Sequence, residues 1–300
     1  MSTLPKLIVI LGPTASGKTG MSLKLAKKFG GEIVNADSRQ IYKGMNIGTG
    51  KVVDKKGVKH YLLDIVNPDQ EFTLADYKKK AVAAIRDILK RNKNPFLVGG
   101  TGLYIQSVAD NLEIPAVPPN KKLRAQFEKE IKNPGALAKW YKKLLKLDPG
   151  AVKVVDAKNP RRIIRALEVC LATGQPFSKL REKGEPLFDV LQIGINLPRK
   201  KLYENIDQRV EQMIKEGLVN ETKKLLKKYS PSLPSMSGIG YKEIGEHLSG
   251  KDDLAEAVQK IKFRTHAYAR RQMTWFRRDK RIRWIKNYKE AENKIKKWLK

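Results

Sequence analysis

Residues 7–19 read Leu7-Ile8-Val9-Ile10-Leu11-Gly12-Pro13-Thr14-Ala15-Ser16-Gly17-Lys18-Thr19, and this stretch decides the fold. Its apolar run is a short buried strand. The eight residues after it match G-x-x-x-x-G-K-[ST], and the next segment places Met21, Leu23, Leu25, Ala26 and Phe29 at helical spacing. Strand, glycine loop and helix in that order make a P-loop. The two glycines let backbone N–H groups curl around an anion, and the helix N-terminus adds its partial positive charge. Lys18 then serves as a point charge on the phosphates, while the Thr19 hydroxyl suits Mg²⁺ or a phosphate oxygen. Gly12, Pro13, Thr14, Ala15, Ser16, Gly17, Lys18 and Thr19 are the expected phosphate-binding set. The loop does not say which phosphate it holds.

Working outward, residues 32–37 read as a second strand ending in Asp37-Ser38-Arg39-Gln40. Ligands of open α/β sheets bind beyond the carboxyl ends of strands, so Asp37 should lie near the P-loop. Residues 41–53 carry three glycines and read as a loop; residues 60–65 read as a third strand. A helix is expected over 72–91, with Thr73 as N-cap and Asp76 three residues on. Pro95-Phe96-Leu97-Val98 is a fourth strand, running into Gly99-Gly100-Thr101-Gly102 and a helix over 103–109. Alternating strands and helices predict a parallel, doubly wound α/β sheet. From Leu112 the pattern changes: Pro115, Pro118 and Pro119 precede helical stretches over 121–131, 136–147 and 160–173. Residues 188–195 read as a returning strand, followed by a helical region over 199–229 and a final helical block over 254–278. The expected organisation is a core domain of 1–111 with 188–300, and a mainly helical insertion over 112–187.

The chain has 300 residues, 41% of them apolar, which supports a folded core. Lys and Arg number 62 against 31 Asp and Glu, a formal charge of +31 spread along the chain and not parked on a tail. A folded protein this cationic points to a polyanionic partner, most often nucleic acid. Cys170 is the single cysteine, so no intrachain disulfide or cysteine-cluster zinc site is available. No stretch reaches the ~18–20 apolar residues of a membrane span. The N-terminal apolar run is too short for a signal sequence. A cytoplasmic protein with no membrane association is the expectation.

An ordinary ATP-hydrolysing P-loop needs an apolar strand ending in an acidic Mg²⁺ ligand. The best strand, Phe96-Leu97-Val98, ends in Gly-Gly-Thr, and Asp64 is the weaker substitute. A phosphate loop without that acid suits a pyrophosphate held as leaving group. Asp37 has three readings: a metal ligand, a general base for an incoming nucleophile, or a cap on the following turn. Thr101 either donates a hydrogen bond to substrate or caps its helix. In 262–278, Arg264, Arg271 and Arg278 recur every seven residues on one helical face and read as a phosphate-backbone stripe. Phe263, Ala267, Tyr268 and Trp275 read as core. Arg161, Arg162 and Arg165 form a similar stripe in the insertion.

With these residues in view, the chain resembles the bacterial tRNA dimethylallyltransferases, prenyl transferases that modify the adenosine just 3′ of the anticodon. The resemblance rests on GPTASGKT (12–19), NADSRQIYKGMNIGTGK (35–51), HYLLDIVNPDQEFTLADY (60–77), LVGGTGLY (97–104), NPRRIIRALEV (159–169), IGYKE (239–243) and YARRQMTWFRR (268–278). It implies a P-loop NTPase-like sheet flanked by helices, and a helical insertion gripping the tRNA anticodon stem-loop. The donor it implies is dimethylallyl diphosphate, held with Mg²⁺ at the P-loop, with Thr19 as the metal's protein ligand. Asp37 would be the general base for the exocyclic amine, and Thr19 and Arg209 would stabilise the departing diphosphate. Asp37, Ser38, Arg39, Gln40, Thr101, Arg124, Arg161, Arg162, Ile163, Ile164 and Arg165 would meet the tRNA. The family also implies a monomer. This chain departs from it at Gly50 and Val52, where Ala and Pro are usual, and at His266, where Arg is usual; histidine, unlike arginine, loses its charge near neutral pH. The rival acceptor is a free adenine nucleotide, and the rival reactions are those of a nucleoside or nucleotide kinase with ATP in the loop. A non-catalytic RNA-binding protein would leave Asp37 and the P-loop without purpose.

Overall fold

β1 (Lys6–Leu11) is apolar on both faces because helices cover both sides of the sheet it runs through. Leu7, Val9 and Leu11 point into one buried cluster, while Ile8 and Ile10 point into another on the opposite face. The computed structural model describes residues 4–52, 54–115, 117–179 and 183–300. The loop read over 41–53 therefore ends on a residue outside the described set.

In chain order, β1 is followed by α1 (Lys18–Lys28), β2 (Gly31–Asn35), β3 (His60–Tyr61), α2 (Leu74–Lys90), β4 (Asn94–Gly99) and α3 (Gly102–Ala109). Next come α4 (Lys121–Glu130), α5 (Ala136–Leu147), a 3₁₀ turn at Pro149–Lys153 and α6 (Pro160–Thr173). The chain then returns through β5 (Asp189–Ile195), α7 (Arg199–Lys215), α8 (Leu218–Leu226), α9 (Tyr241–Leu248), α10 (Leu254–Phe276), β6 (Arg283–Ile285) and α11 (Tyr288–Leu299). The six strands form one parallel sheet in the order β3-β2-β4-β1-β5-β6. Ile8 lies opposite Phe96 of β4 and Leu191 of β5. This is the P-loop NTPase-like α/β architecture.

The chain divides into two compact units, Met1–Ala109 with Leu187–Lys300, and Asp110–Pro186. The first holds the sheet and a helical cluster in which Ile206, Val210, Leu218, Tyr241, Ile244 and Ile261 are buried together. The second is helical, with Trp140, Leu144, Ile163, Ala166 and Leu167 at its centre.

Local chemistry sets the helix ends. Asp76 N donates to Thr73 Oγ1 at 3.2 Å while Thr73 N donates to Asp76 Oδ2 at 2.9 Å, closing the capping box of α2. Pro160 opens α6, Asn159 Oδ1 accepts from Arg162 N at 3.2 Å, and Gly174 ends it at φ 67°.

Several expectations are corrected. The strand read over 60–65 stops at Tyr61, because Leu62 and Asp64 take positive φ (62° and 55°) and leave the sheet. The helical region over 199–229 is two helices, broken where Gly217 takes φ 98°. Phe263 is 70% exposed and not core: it lies on the outer side of α10. The edge strand β6, three residues long with a single buried residue, escaped the sequence reading because so short a segment carries no period.

Candidate functional site

The loops after β1, β2 and β4 all leave the carboxyl edge of the sheet, and this brings the P-loop, Asp37 and Thr101 to one end of the core unit. The P-loop curls through positive φ at Ala15 (59°) and Gly17 (83°). Ala15, Ser16, Gly17, Lys18 and Thr19 line a cavity of about 690 Å³ together with Lys51, Asn205, Arg209, Gln212 and Glu216. Gly12, Pro13 and Thr14 form the turn behind it: Pro13 O accepts from Ser16 N at 3.3 Å and from Lys18 Nζ at 3.1 Å. Ala15 O accepts from Asn205 Nδ2 at 3.2 Å, which joins the loop to α7.

Three cations line this cavity; Lys51 is paired with Asp64, which leaves Lys18 and Arg209 facing the loop. Burial pushes the Lys18 ammonium down to about 8, and Arg209 adds to the fall while Asp37 opposes it. Arg209 is likewise lowered by burial, against the attraction of Asp37. Among the described residues its hydrogen bond is a long one, Nη2 to Thr49 O at 3.4 Å. Two partly desolvated cations beside a curl of amides form a site short of negative charge, which an anion would supply.

Arg209 owes its place to the loop after β2. Gly50 has φ 59°, and a Cβ there would collide with Arg209 Nη2. The guanidinium therefore occupies the space that an alanine side chain would take. The loop is pinned from behind by Glu221, whose carboxylate accepts from the backbone N–H of Asn46 (3.1 Å), Ile47 (3.0 Å) and Gly48 (3.2 Å), and from the Tyr241 hydroxyl (2.7 Å). Gln40 Nε2 holds the same loop through Thr49 O and Gly50 O, each at 3.2 Å. Sequence reasoning missed Glu221, since nothing in GLVNET marks a carboxylate that folds a distant loop.

Asp37 follows β2 directly. Its Oδ1 accepts from Arg39 N at 2.9 Å, so the turn-capping role is real, and no described residue hydrogen-bonds Oδ2. The phenols of Tyr77, Tyr104 and Tyr268 lie within its field; each is raised chiefly by burial and further by the Asp37 charge. Thr101 Oγ1 accepts from Ser38 N at 3.0 Å, tying the β4 loop to the residue after Asp37. Arg39 is drawn away into the chain: its Nη1 donates to Pro234 O at 2.8 Å and to Ser235 O at 3.2 Å. Asp64 pairs with Lys51 Nζ at 2.5 Å and stands as that lysine's partner.

The arginines sort by their partners. Arg264 forms an ion pair with Glu243, which is fully buried, so it stabilises the packing of α9 on α10 and leaves the expected stripe. Arg271 lies over the Tyr268 ring at 5.9 Å and is exposed, as is Arg278. In the helical unit, Arg124 Nε donates to the buried Glu168 at 2.7 Å, and Arg165 Nη1 donates to Val117 O at 2.8 Å. Ile163 and Ile164 are core, at 0% and 6% exposure. Arg161 and Arg162 are exposed in the first turn of α6, where a positive charge works against the helix dipole. His266 stacks on Tyr203 at 4.1 Å between ring centroids and its Nε2 sits 2.9 Å from Asp207 Oδ1, so its ring is packed internally.

Among the described residues no group of three or more His, Cys, Asp or Glu is placed to hold a metal. The Thr19 hydroxyl at the cavity edge offers one oxygen ligand. That suits Mg²⁺, which keeps waters and takes its remaining ligands from substrate phosphates. No helix among the described residues is long and apolar enough to cross a membrane.

The family model described as IPP transferase matches residues 40–279. A tRNA dimethylallyltransferase of Roseiflexus sp. (strain RS-1) is 48% identical over 275 residues, covering 91% of this chain and 90% of that protein. The crystal structure of a full-length tRNA isopentenylpyrophosphate transferase from Bacillus halodurans superposes with a TM-score of 0.72 at 37% identity, covering 98% of this chain and 95% of that one. A eukaryotic dimethylallyltransferase solved acting on tRNA superposes with a TM-score of 0.75 at 30% identity, covering 90% of this chain and 69% of that one. A match across residues 40–279, with these relatives and the P-loop fold, means that the chain belongs to the IPP transferase family.

Proposed function

We propose that this protein is a tRNA dimethylallyltransferase, moving a dimethylallyl group from dimethylallyl diphosphate to the exocyclic amine of the tRNA adenosine 3′ to the anticodon. The observation that carries the reading is the cavity where Lys18 and Arg209, both lowered by burial, face the P-loop amides with Asp37 within their field. That is a cradle for a leaving diphosphate beside a base.

In the reaction, the amine nitrogen forms a bond to C1 of the dimethylallyl group as the C1–O bond to diphosphate breaks. The bonding pair departs on the diphosphate, stabilised by Lys18, Arg209 and the amides of the loop. The amine proton passes to Asp37, whose Oδ2 is open while Oδ1 holds the turn. A positioned base of this kind contributes about 10²–10⁴-fold. Bound Mg²⁺ would neutralise diphosphate charge from a place beside Thr19. The adenine must leave its stack to reach the carboxylate. Exposed Arg161 and Arg162 supply phosphate contacts for the anticodon stem-loop, and the charge of +31 draws the polyanion in. The working form is a monomer.

The test is transfer of label from dimethylallyl diphosphate, with Mg²⁺, to unmodified tRNA or to AMP. Label in tRNA and not AMP is expected. Label in AMP alone would sink the proposal, and phosphorylation of a nucleoside by ATP would make the protein a kinase.

A further inference from the structure

The cradle and the carboxylate stand on strands that do not touch. β4 lies between β1 and β2, so the loops carrying the P-loop and Asp37 start about 10 Å apart, two strand spacings. Transfer needs the reacting atoms at ~3–3.5 Å, so the separation of those loops has to be fixed.

One side chain bridges the gap. Gln272, on α10 and 6% exposed, accepts at Oε1 from Thr14 N at 2.9 Å and donates from Nε2 to Gly100 O at 2.8 Å. A single amide thereby joins the P-loop turn to the β4 loop. A Cβ on Gly100 would collide with Gln272 Nε2, so the glycine leaves the space the amide fills. One helical turn back, Tyr268 lies beside the Thr101 side chain. Thr101 in turn accepts from Ser38 N, beside Asp37. The connected path runs from Thr14 through Gln272 to the β4 loop and on to Ser38.

The chemistry of the bridge is specific. It needs one acceptor and one donor at a fixed spacing, which an amide supplies and a carboxylate or ammonium does not. Burying an amide is costly unless both ends are matched, and here both are.

We infer that Gln272, supported by Tyr268, is a positioning residue that sets the distance between the diphosphate cradle and Asp37. This rests on the transferase reading above. Gln272→Met keeps the volume and removes both hydrogen bonds. Gln272→Glu keeps the acceptor for Thr14 N and loses the donor to Gly100 O. Tyr268→Phe removes a single hydroxyl and retains the ring, so it reports on the same path if the Gln272 variants fold poorly.

The experiment measures saturated turnover with dimethylallyl diphosphate and tRNA, the Kd of inorganic diphosphate, the Kd of tRNA, and the melting temperature, all on the full chain. Turnover of Gln272→Met is expected to fall about 10- to 100-fold, the scale of a misplacement of about 1 Å. Gln272→Glu and Tyr268→Phe should fall less, and both Kd values should stay within about threefold in every variant. Turnover within twofold of wild type for Gln272→Met and Tyr268→Phe overturns the inference, as does a loss of diphosphate affinity in proportion to turnover. In either case the transferase reading stands. If the wild type transfers no prenyl group to tRNA, both readings fall.

Discussion

Lys18 makes the proposed diphosphate site measurable by pH. Burial holds its ammonium at about 8 in the free protein, and a bound diphosphate raises it again by supplying the missing negative charge. At that value about nine in ten Lys18 side chains are charged at pH 7 and about one in ten at pH 9. Diphosphate binding through the charged form therefore weakens about tenfold between those pH values, about 1.4 kcal/mol. Because the complex holds the proton more tightly than the free protein, binding takes up protons. Uptake should climb from about 0.1 per diphosphate at pH 7 to about 0.9 at pH 9. Titration calorimetry in buffers of different ionisation enthalpy reads that number directly. Diphosphate titrates as well, so the comparison is with Lys18→Arg, whose guanidinium stays charged throughout. The difference between the two proteins isolates Lys18. Identical proton uptake in both, or affinity flat in pH once diphosphate's own ionisation is subtracted, would refute the reasoning.

Asp37→Asn retains an oxygen for Arg39 N and loses basicity, so turnover should drop about 10²–10⁴-fold with tRNA affinity within a few fold; near-normal turnover would remove the general-base role. Arg264→Ala should cost about 1–3 kcal/mol in denaturant unfolding, because it strips a buried carboxylate of its partner, whereas exposed Arg278→Ala should stay within ~0.5 kcal/mol. The log–log dependence of tRNA affinity on salt should flatten by about one unit for each of Arg161→Ala and Arg162→Ala, and an unchanged slope would place those arginines off the RNA.

The nucleotide-fold core was legible because its signals are local. A P-loop announces itself in eight residues, a capping box in four, and a buried parallel strand in an unbroken apolar run. Asp37 and Thr101 were legible for the same reason, since strand ends in a doubly wound sheet share one edge. Failures came where the deciding partner is remote in sequence. Arg264 reads as a surface charge until Glu243 is set beside it. Phe263 reads as core until α10 shows which side packs. The third strand looked longer than it is because positive φ at Leu62 and Asp64 answers to the loop they enter and not to their own propensity.

What the sequence determined by itself is the chemistry on hand: an anion-binding loop, a carboxylate at the end of a second strand, and a large excess of positive charge. Tertiary structure decided how that chemistry is held. Gln272 is 258 residues from Thr14 and 172 from Gly100, and Glu221 is 173 residues from Gly48. A hydrogen bond is satisfied by geometry and leaves no periodicity behind. Only the packed fold shows which amide spans two loops and which carboxylate folds a third.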